Sequence, residues 1–90
     1  MMKMQFSVYG RVQGVGFRYF TWREARKIGV LGYVKNMPDG SVYVVAVGKD
    51  TQISHFYDYL RLGPKTAKVT EVLVQDYLAE HKFNDFSIKY

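Results

Sequence analysis

Apolar residues in this chain repeat at two periods, and the order in which those periods alternate constrains the fold more than any other feature. In residues 3–9, KMQFSVY, Met4, Phe6 and Val8 occupy one face and Gln5, Ser7 and Tyr9 the other, as in a strand buried on one side. After a glycine-rich stretch the period lengthens. Phe17, Phe20, Thr21, Ala25 and Ile28 fall on one side of a helical wheel, Arg23, Arg26 and Lys27 fall opposite, and Gly29 marks the expected end. Residues 31–37 and 41–47 are β-branched and aromatic runs, and the Pro38-Asp39-Gly40 between them is hairpin chemistry. Ile53, Phe56, Tyr57 and Leu60 restore the helical spacing before Gly63-Pro64 stops it. Residues 68–77, KVTEVLVQDY, then alternate again, ahead of a short edge strand in the terminal FSIKY.

The order β-α-β-β-α-β plus a short final strand predicts an α+β fold, the ferredoxin-like sandwich, with two helices on one face of an antiparallel sheet. Ninety residues make one small domain, expected to span residues 1–90, with no internal repeat or linker. There is no cysteine, so neither a disulfide framework nor a thiolate metal site is available and the apolar core must hold the fold alone. The opening MMKMQFSVYG has no apolar run long enough for a signal sequence, and no stretch approaches the ~20 apolar residues of a membrane span. A soluble, cytoplasmic protein is expected, with no membrane partner.

This topology brings distant residues together. A right-handed crossover makes the first two strands parallel, with the third slotted between them, so both end at the same edge of the sheet. Two strand spacings, about 10 Å, then separate the glycine-rich loop from the end of the second strand. Arg18, entering from the start of the first helix, and Asn36, near the end of the second strand, can meet around one small ligand. Alternation also puts Asn36 on the face of Val34, and an inward amide needs a partner.

The loop itself, YGRVQGVGFRYF, places Gly10, Gly14 and Gly16 within seven positions before Phe17-Arg18. A glycine-rich turn that opens a helix exposes backbone N–H groups at the positive end of the helix dipole, a recipe for holding a phosphate. Arg18 adds planar, permanently charged donors. On residue types alone the stretch reads more readily as a tight strand-to-helix turn beside a solvated arginine. It is neither a Walker loop, since G-x-x-x-x-G-K-[ST] is absent, nor a dinucleotide fingerprint, since GRVQGVGF does not fit G-x-G-x-x-G. His55 and His81 lack metal-ligand spacing, the four serines come with no nucleophile elbow, and no carboxylate stands out as a general base. Trp22 reads as packing rather than as a stacking platform.

Gly10-Arg11-Val12-Gln13-Gly14-Val15-Gly16-Phe17-Arg18, followed by Gly32-Tyr33-Val34-Lys35-Asn36 and Asp39-Gly40-Ser41-Val42, closely resembles the acylphosphatases. The resemblance covers nearly the whole chain, through Glu24-Ala25-Arg26-Lys27-Ile28-Gly29, Gly63-Pro64, Ala67-Lys68-Val69 and Phe86-Ser87-Ile88-Lys89-Tyr90. Met37 departs from members that carry a hydroxyl residue after the asparagine. The resemblance implies hydrolysis of a carboxyl-phosphate mixed anhydride to carboxylate and inorganic phosphate. It also implies that Arg18 binds the phosphate with the backbone amides of Gln13, Gly14, Val15, Gly16, Phe17 and Arg18, while Asn36 positions the attacking water. No metal and no cofactor are expected. The expected partner is a small acyl phosphate and the expected state a monomer.

The net charge of +5 raises nucleic acid as the rival partner, because RNA-recognition domains share this element order. The third strand, SVYVVAVG, lacks the aromatic pattern such domains use, and the basic residues are scattered with no run longer than two. Nucleic acid is therefore not the expected partner. A third reading, a catalytically idle or carbamoyl-phosphate-handling domain such as occurs within larger maturation enzymes, is disfavoured by the presence of both Arg18 and Asn36.

Overall fold

A computed structural model describes residues 1–90. Its elements are β1 (Met2–Arg11), α1 (Phe17–Ile28), β2 (Leu31–Asn36), β3 (Val42–Gly48), α2 (Asp50–Leu62), β4 (Lys68–Asp76) and β5 (Phe86–Lys89). They form one sheet in the order β4-β1-β3-β2-β5. β3 runs antiparallel to both β1 and β2, and β4 antiparallel to β1, as the periodicity predicts. The last strand, whose direction the sequence leaves open, pairs parallel with β2 and makes the sheet mixed. The cause is where β4 finishes. It runs antiparallel to β1 and so finishes at the end of the sheet where β1 and β2 begin, and a chain that crosses from there to the free edge of β2 must run in the direction of β2. The amide of Gly32 fixes that entry by donating to Asp85 O at 2.9 Å.

The two helices lie on one face of the sheet. Phe6 and Val8 of β1, Val34 of β2, and Val42, Val44 and Ala46 of β3 meet Phe17 and Ala25 of α1 and Ile53, Phe56 and Leu60 of α2. Phe56 is the hub of this layer, edge-on to Phe6 at 6.0 Å and to Phe86 at 5.8 Å. Truncating a fully buried aromatic of this kind costs about 3–5 kcal/mol. α1 departs from its helical-wheel reading at more than one position, and Ile28 at its end is only half-buried. Phe20 is only half-buried, while Glu24 is buried and holds Arg23 at 3.2 Å and Lys27 at 3.8 Å on Oε2. Those two cations compensate a carboxylate that burial would otherwise penalise.

On the other face, residues 77–85 cross the sheet between its two edges. Phe83 packs on Tyr33 at 5.8 Å and on Tyr77 at 6.2 Å, and Val45 beneath is fully buried. Burial on this face pushes the phenols of Tyr33 and Tyr43 above their ordinary value. No helix is long and apolar enough to cross a membrane.

Candidate active site

The register of β1 against β4 shifts between Tyr9 and Gly10, with Thr70 of β4 left over, and pairing then runs on to Arg11, where the strand ends. Val12, 1% exposed, pins the start of the following loop to the core. Gly14 and Gly16 then adopt φ of 73° and 78°, and a Cβ at either would meet nothing within 4 Å. The backbone conformation, not lack of space, is therefore what demands glycine at both positions.

Gly16 is also the N-cap of α1. It supplies no side-chain cap, and no acidic residue follows in the first turn. The amides of Gln13, Gly14, Val15 and Gly16 donate to no backbone or side-chain acceptor in the fold, and the first amides of a helix have none within it. The loop leading into the positive end of the helix dipole thus carries a row of unused donors.

Two ties hold this loop in place. The Gln13 side chain donates from Nε2 to Met37 O and to Ser41 O, both at 2.8 Å, fastening the loop to the β2–β3 turn. Thr66 Oγ1 donates to Val15 O at 2.6 Å from the other side. The turn that receives Gln13 is itself closed by Asp39, whose Oδ1 accepts from Ser41 N at 2.9 Å and from Ser41 Oγ at 2.6 Å. Those hydrogen bonds from Ser41 hold the Asp39 carboxyl below its ordinary pKa.

Asn36 closes β2 on the same face as fully buried Val34. Its Oδ1 is buried without a hydrogen-bond partner, a condition shared only with Thr21 Oγ1. An unpaired buried acceptor costs about 1–3 kcal/mol, so its retention points to use. Arg18 stands across from it. Its guanidinium lies 4.7 Å from the centre of the Tyr90 ring, and Nη1 donates to Lys89 O at 3.3 Å.

Arg18 and Asn36 line a single cleft of about 210 Å³ together with Gly14, Gly16 and Phe17. The remaining walls are Val12, Tyr19, Ile88 and Tyr90, which the sequence reading did not single out. Gln13 and Val15 do not line it; the side chain of the first is spent on the turn, and that of the second packs against the core. No side-chain carboxylate or imidazole lines the cleft, and no group of three His, Cys, Asp or Glu side chains converges anywhere in the fold. Drug-sized ligands occupy pockets of roughly 300–1,000 Å³, so this one suits a small anion with a modest substituent. A wider groove of about 400 Å³ between α1 and α2 lacks the loop donors, and size alone does not mark the chemistry.

Tyr90 had a legible signal. Phe86, Ile88 and Tyr90 share one face of an alternating strand. In the parallel register Val34 faces Ile88 and Lys35 faces Lys89, so the next step sets Tyr90 beside Asn36. Tyr19 had no such signal, because adjacent positions on a helix point in different directions and only the cleft shows which way Tyr19 turns.

The acylphosphatase family profile matches residues 4–88. An acylphosphatase of Pasteurella multocida is 57% identical over 90 residues, covering all of both chains. The crystal structure of an acylphosphatase from Bacillus subtilis superposes with a TM-score of 0.94 at 39% identity, again over all of both chains. Full-length HypF in its phosphate- and nucleotide-bound form matches with a TM-score of 0.86 at 26% identity, where 99% of this chain corresponds to 12% of that one. The fold, the cleft at the end of β1 and β2, and these full-length similarities agree: the chain belongs to the acylphosphatase family, hydrolases of acyl phosphates.

Proposed function

We propose that this cleft hydrolyses acyl phosphates by direct attack of a positioned water on phosphorus, with no metal and no covalent intermediate. The phosphoryl oxygens sit on the backbone amides of Gln13 to Arg18, and the Arg18 guanidinium grips two of them. Asn36 orients the water: a half-turn of its carboxamide exchanges Nδ2 for Oδ1, and the otherwise partnerless oxygen accepts a hydrogen bond from the nucleophile. The new bond runs from the water oxygen to phosphorus while the bond from phosphorus to the acyl oxygen breaks, releasing a carboxylate. A carboxylate is a good leaving group and needs no general acid. The water's proton passes to a phosphoryl oxygen, since no side-chain carboxylate or imidazole lines the cleft.

Phosphoryl transfer of this kind asks the protein mainly for alignment and for charge stabilisation on the equatorial oxygens. Fixed amides and a guanidinium supply both. The observation that carries the reading is the meeting of Arg18 and Asn36, from separate elements, in one cleft with the unused loop donors. In the same reading the protein is a cytoplasmic single-domain monomer whose partner is the small substrate. Nucleic acid is not a partner, in keeping with the sheet face where Tyr43 donates its hydroxyl to Gln5 Oε1 at 2.8 Å and Tyr33 lies under Lys89 and Phe83.

The test is hydrolysis of benzoyl phosphate in ¹⁸O-labelled water with a strong chelator present. Direct attack puts one labelled oxygen in inorganic phosphate and none in benzoate, at a rate the chelator leaves alone. Label in benzoate would move the attack to the carbonyl carbon, and inhibition by the chelator would require a metal.

A further inference from the structure

Of the two ties on the glycine-rich loop, the one from Thr66 acts on the backbone itself. Thr66 Oγ1 donates to Val15 O at 2.6 Å, and the bonding of α1 begins one residue later, with Phe20 N on Gly16 O. Val15 O therefore takes no bond from the helix and is held instead by the connection between α2 and β4. That connection is a firm support. Gly63 N donates to Tyr59 O at 2.8 Å and Ala67 N to Pro64 O at 3.0 Å. Gly63 also lies so near Phe17 that a Cβ on it would stand 3.2 Å from Cε2 of the ring. Thr66 itself is exposed and forms no part of the core, so packing does not account for its hydroxyl.

Val15 O and Gly16 N–H belong to one peptide plane, and in a trans peptide they point in opposite directions. The sheet order puts β4 on one side of β1, and β3, β2 and β5 on the other. The loop that leaves β1 thus stands between Thr66, just ahead of β4, and the wall of the cleft formed by Asn36, Ile88 and Tyr90. Building on the phosphate contacts proposed above, we infer that Thr66 is a positioning residue. By holding Val15 O on the β4 side, it turns the Gly16 N–H to the cleft side, onto a phosphoryl oxygen.

Without this tie little fixes the direction of that peptide. Gly16 has φ 78° and ψ 18°, values of the third residue of a type II turn. A half-turn of the preceding peptide converts type II to type I, and glycine occupies either conformation without strain. The flip would replace an N–H that attracts the phosphate with a carbonyl oxygen that repels it. Bound phosphate opposes the flip, but the free loop does not. The flipped population is therefore subtracted from binding, and the chemistry of a molecule already bound is left almost untouched.

The test compares the wild-type protein with Thr66→Val, which keeps the shape and loses the donor, and with Thr66→Ser, which keeps the donor. Acetyl phosphate kinetics with inorganic phosphate as inhibitor give KM, kcat and the inhibition constant. A titration of ¹⁵N-labelled protein with inorganic phosphate follows the Gly16 amide signal, which should move when phosphate binds to the wild type. Thr66→Val should raise KM and the inhibition constant together by roughly tenfold, with kcat within about threefold of wild type. The Gly16 signal of the phosphate-free variant should also shift, while the melting temperature stays within about 2 °C. Thr66→Ser should return all of these to near wild-type values. Unchanged phosphate affinity in Thr66→Val, with or without a fall in melting temperature, overturns the positioning role. So does a wild-type Gly16 signal that ignores bound phosphate, and both results leave the hydrolytic reading intact. Absence of hydrolysis and of phosphate binding in folded wild-type protein overturns the hydrolytic reading, and the role of Thr66 with it.

Discussion

The loop of residues 12–16 and the turn of residues 37–41 lie side by side at one end of the sheet, yet they treat their polar groups in opposite ways. The turn spends them internally. Met37 N donates to Ser41 O, Gly40 N to Met37 O, and Asp39 accepts twice from Ser41. The loop, which bends at two left-handed glycines, leaves its amides unspent. Gln13 joins the two by giving its side chain to two carbonyls of the turn, so the satisfied segment anchors the unsatisfied one. A binding loop can keep idle donors in a fixed arrangement only if a neighbour supplies the rigidity that those donors would otherwise have provided.

Substitutions in the two segments should therefore fail differently. The largest effect is expected at Arg18, where replacement by Ala should cut kcat/KM for an acyl phosphate by about 10³-fold or more with little change in melting temperature. Arg18→Lys should recover only part of this, since an ammonium cannot grip two oxygens in a plane; full activity in that variant would remove the bidentate role. Asn36→Ala should lose about 10²-fold in kcat while inorganic phosphate still inhibits at wild-type concentrations. Equal loss of turnover and phosphate affinity would mean that Asn36 holds the loop instead of the water.

Gln13→Ala tests the link between the segments. Losing two hydrogen bonds to partly buried carbonyls costs about 1–2 kcal/mol, which for a domain of this size lowers the melting temperature by roughly 5–10 °C. Phosphate affinity should weaken with it, because the loop loses its anchor. A stability loss with unaltered phosphate affinity would show that the loop keeps its shape unaided.

The smallest effect belongs to the turn. Asp39 has a folded-state pKa below its unfolded value, so its contribution is present above the ordinary carboxylate range and is lost as pH falls through the lowered folded value. Asp39→Ala should melt slightly below wild type near neutral pH, and the two curves should converge in acid. A gap that persists at low pH would assign the effect to something other than this carboxylate.

The chain's own pattern was enough for the two helices, the first four strands and the pairing of Arg18 with Asn36. Each of those rests on local periodicity or on a connection rule that holds whatever the side chains are. The glycines of the loop were equally legible, because left-handed backbone has few other occupants. Three things were decided only in three dimensions. The direction of β5 follows from where β4 happens to end, which no local pattern in Phe86–Lys89 encodes. Gln13 is a tether by its side chain, which depends on the turn of residues 37–41 packing within 2.8 Å of it. The cleft takes its walls from both Tyr19 and Tyr90, residues 71 positions apart in the chain that share it only once β5 lies against β2. Periodicity records which face a residue takes within its own element; which elements become neighbours is settled by the packing of the whole core, and the walls of this cleft are made by neighbours.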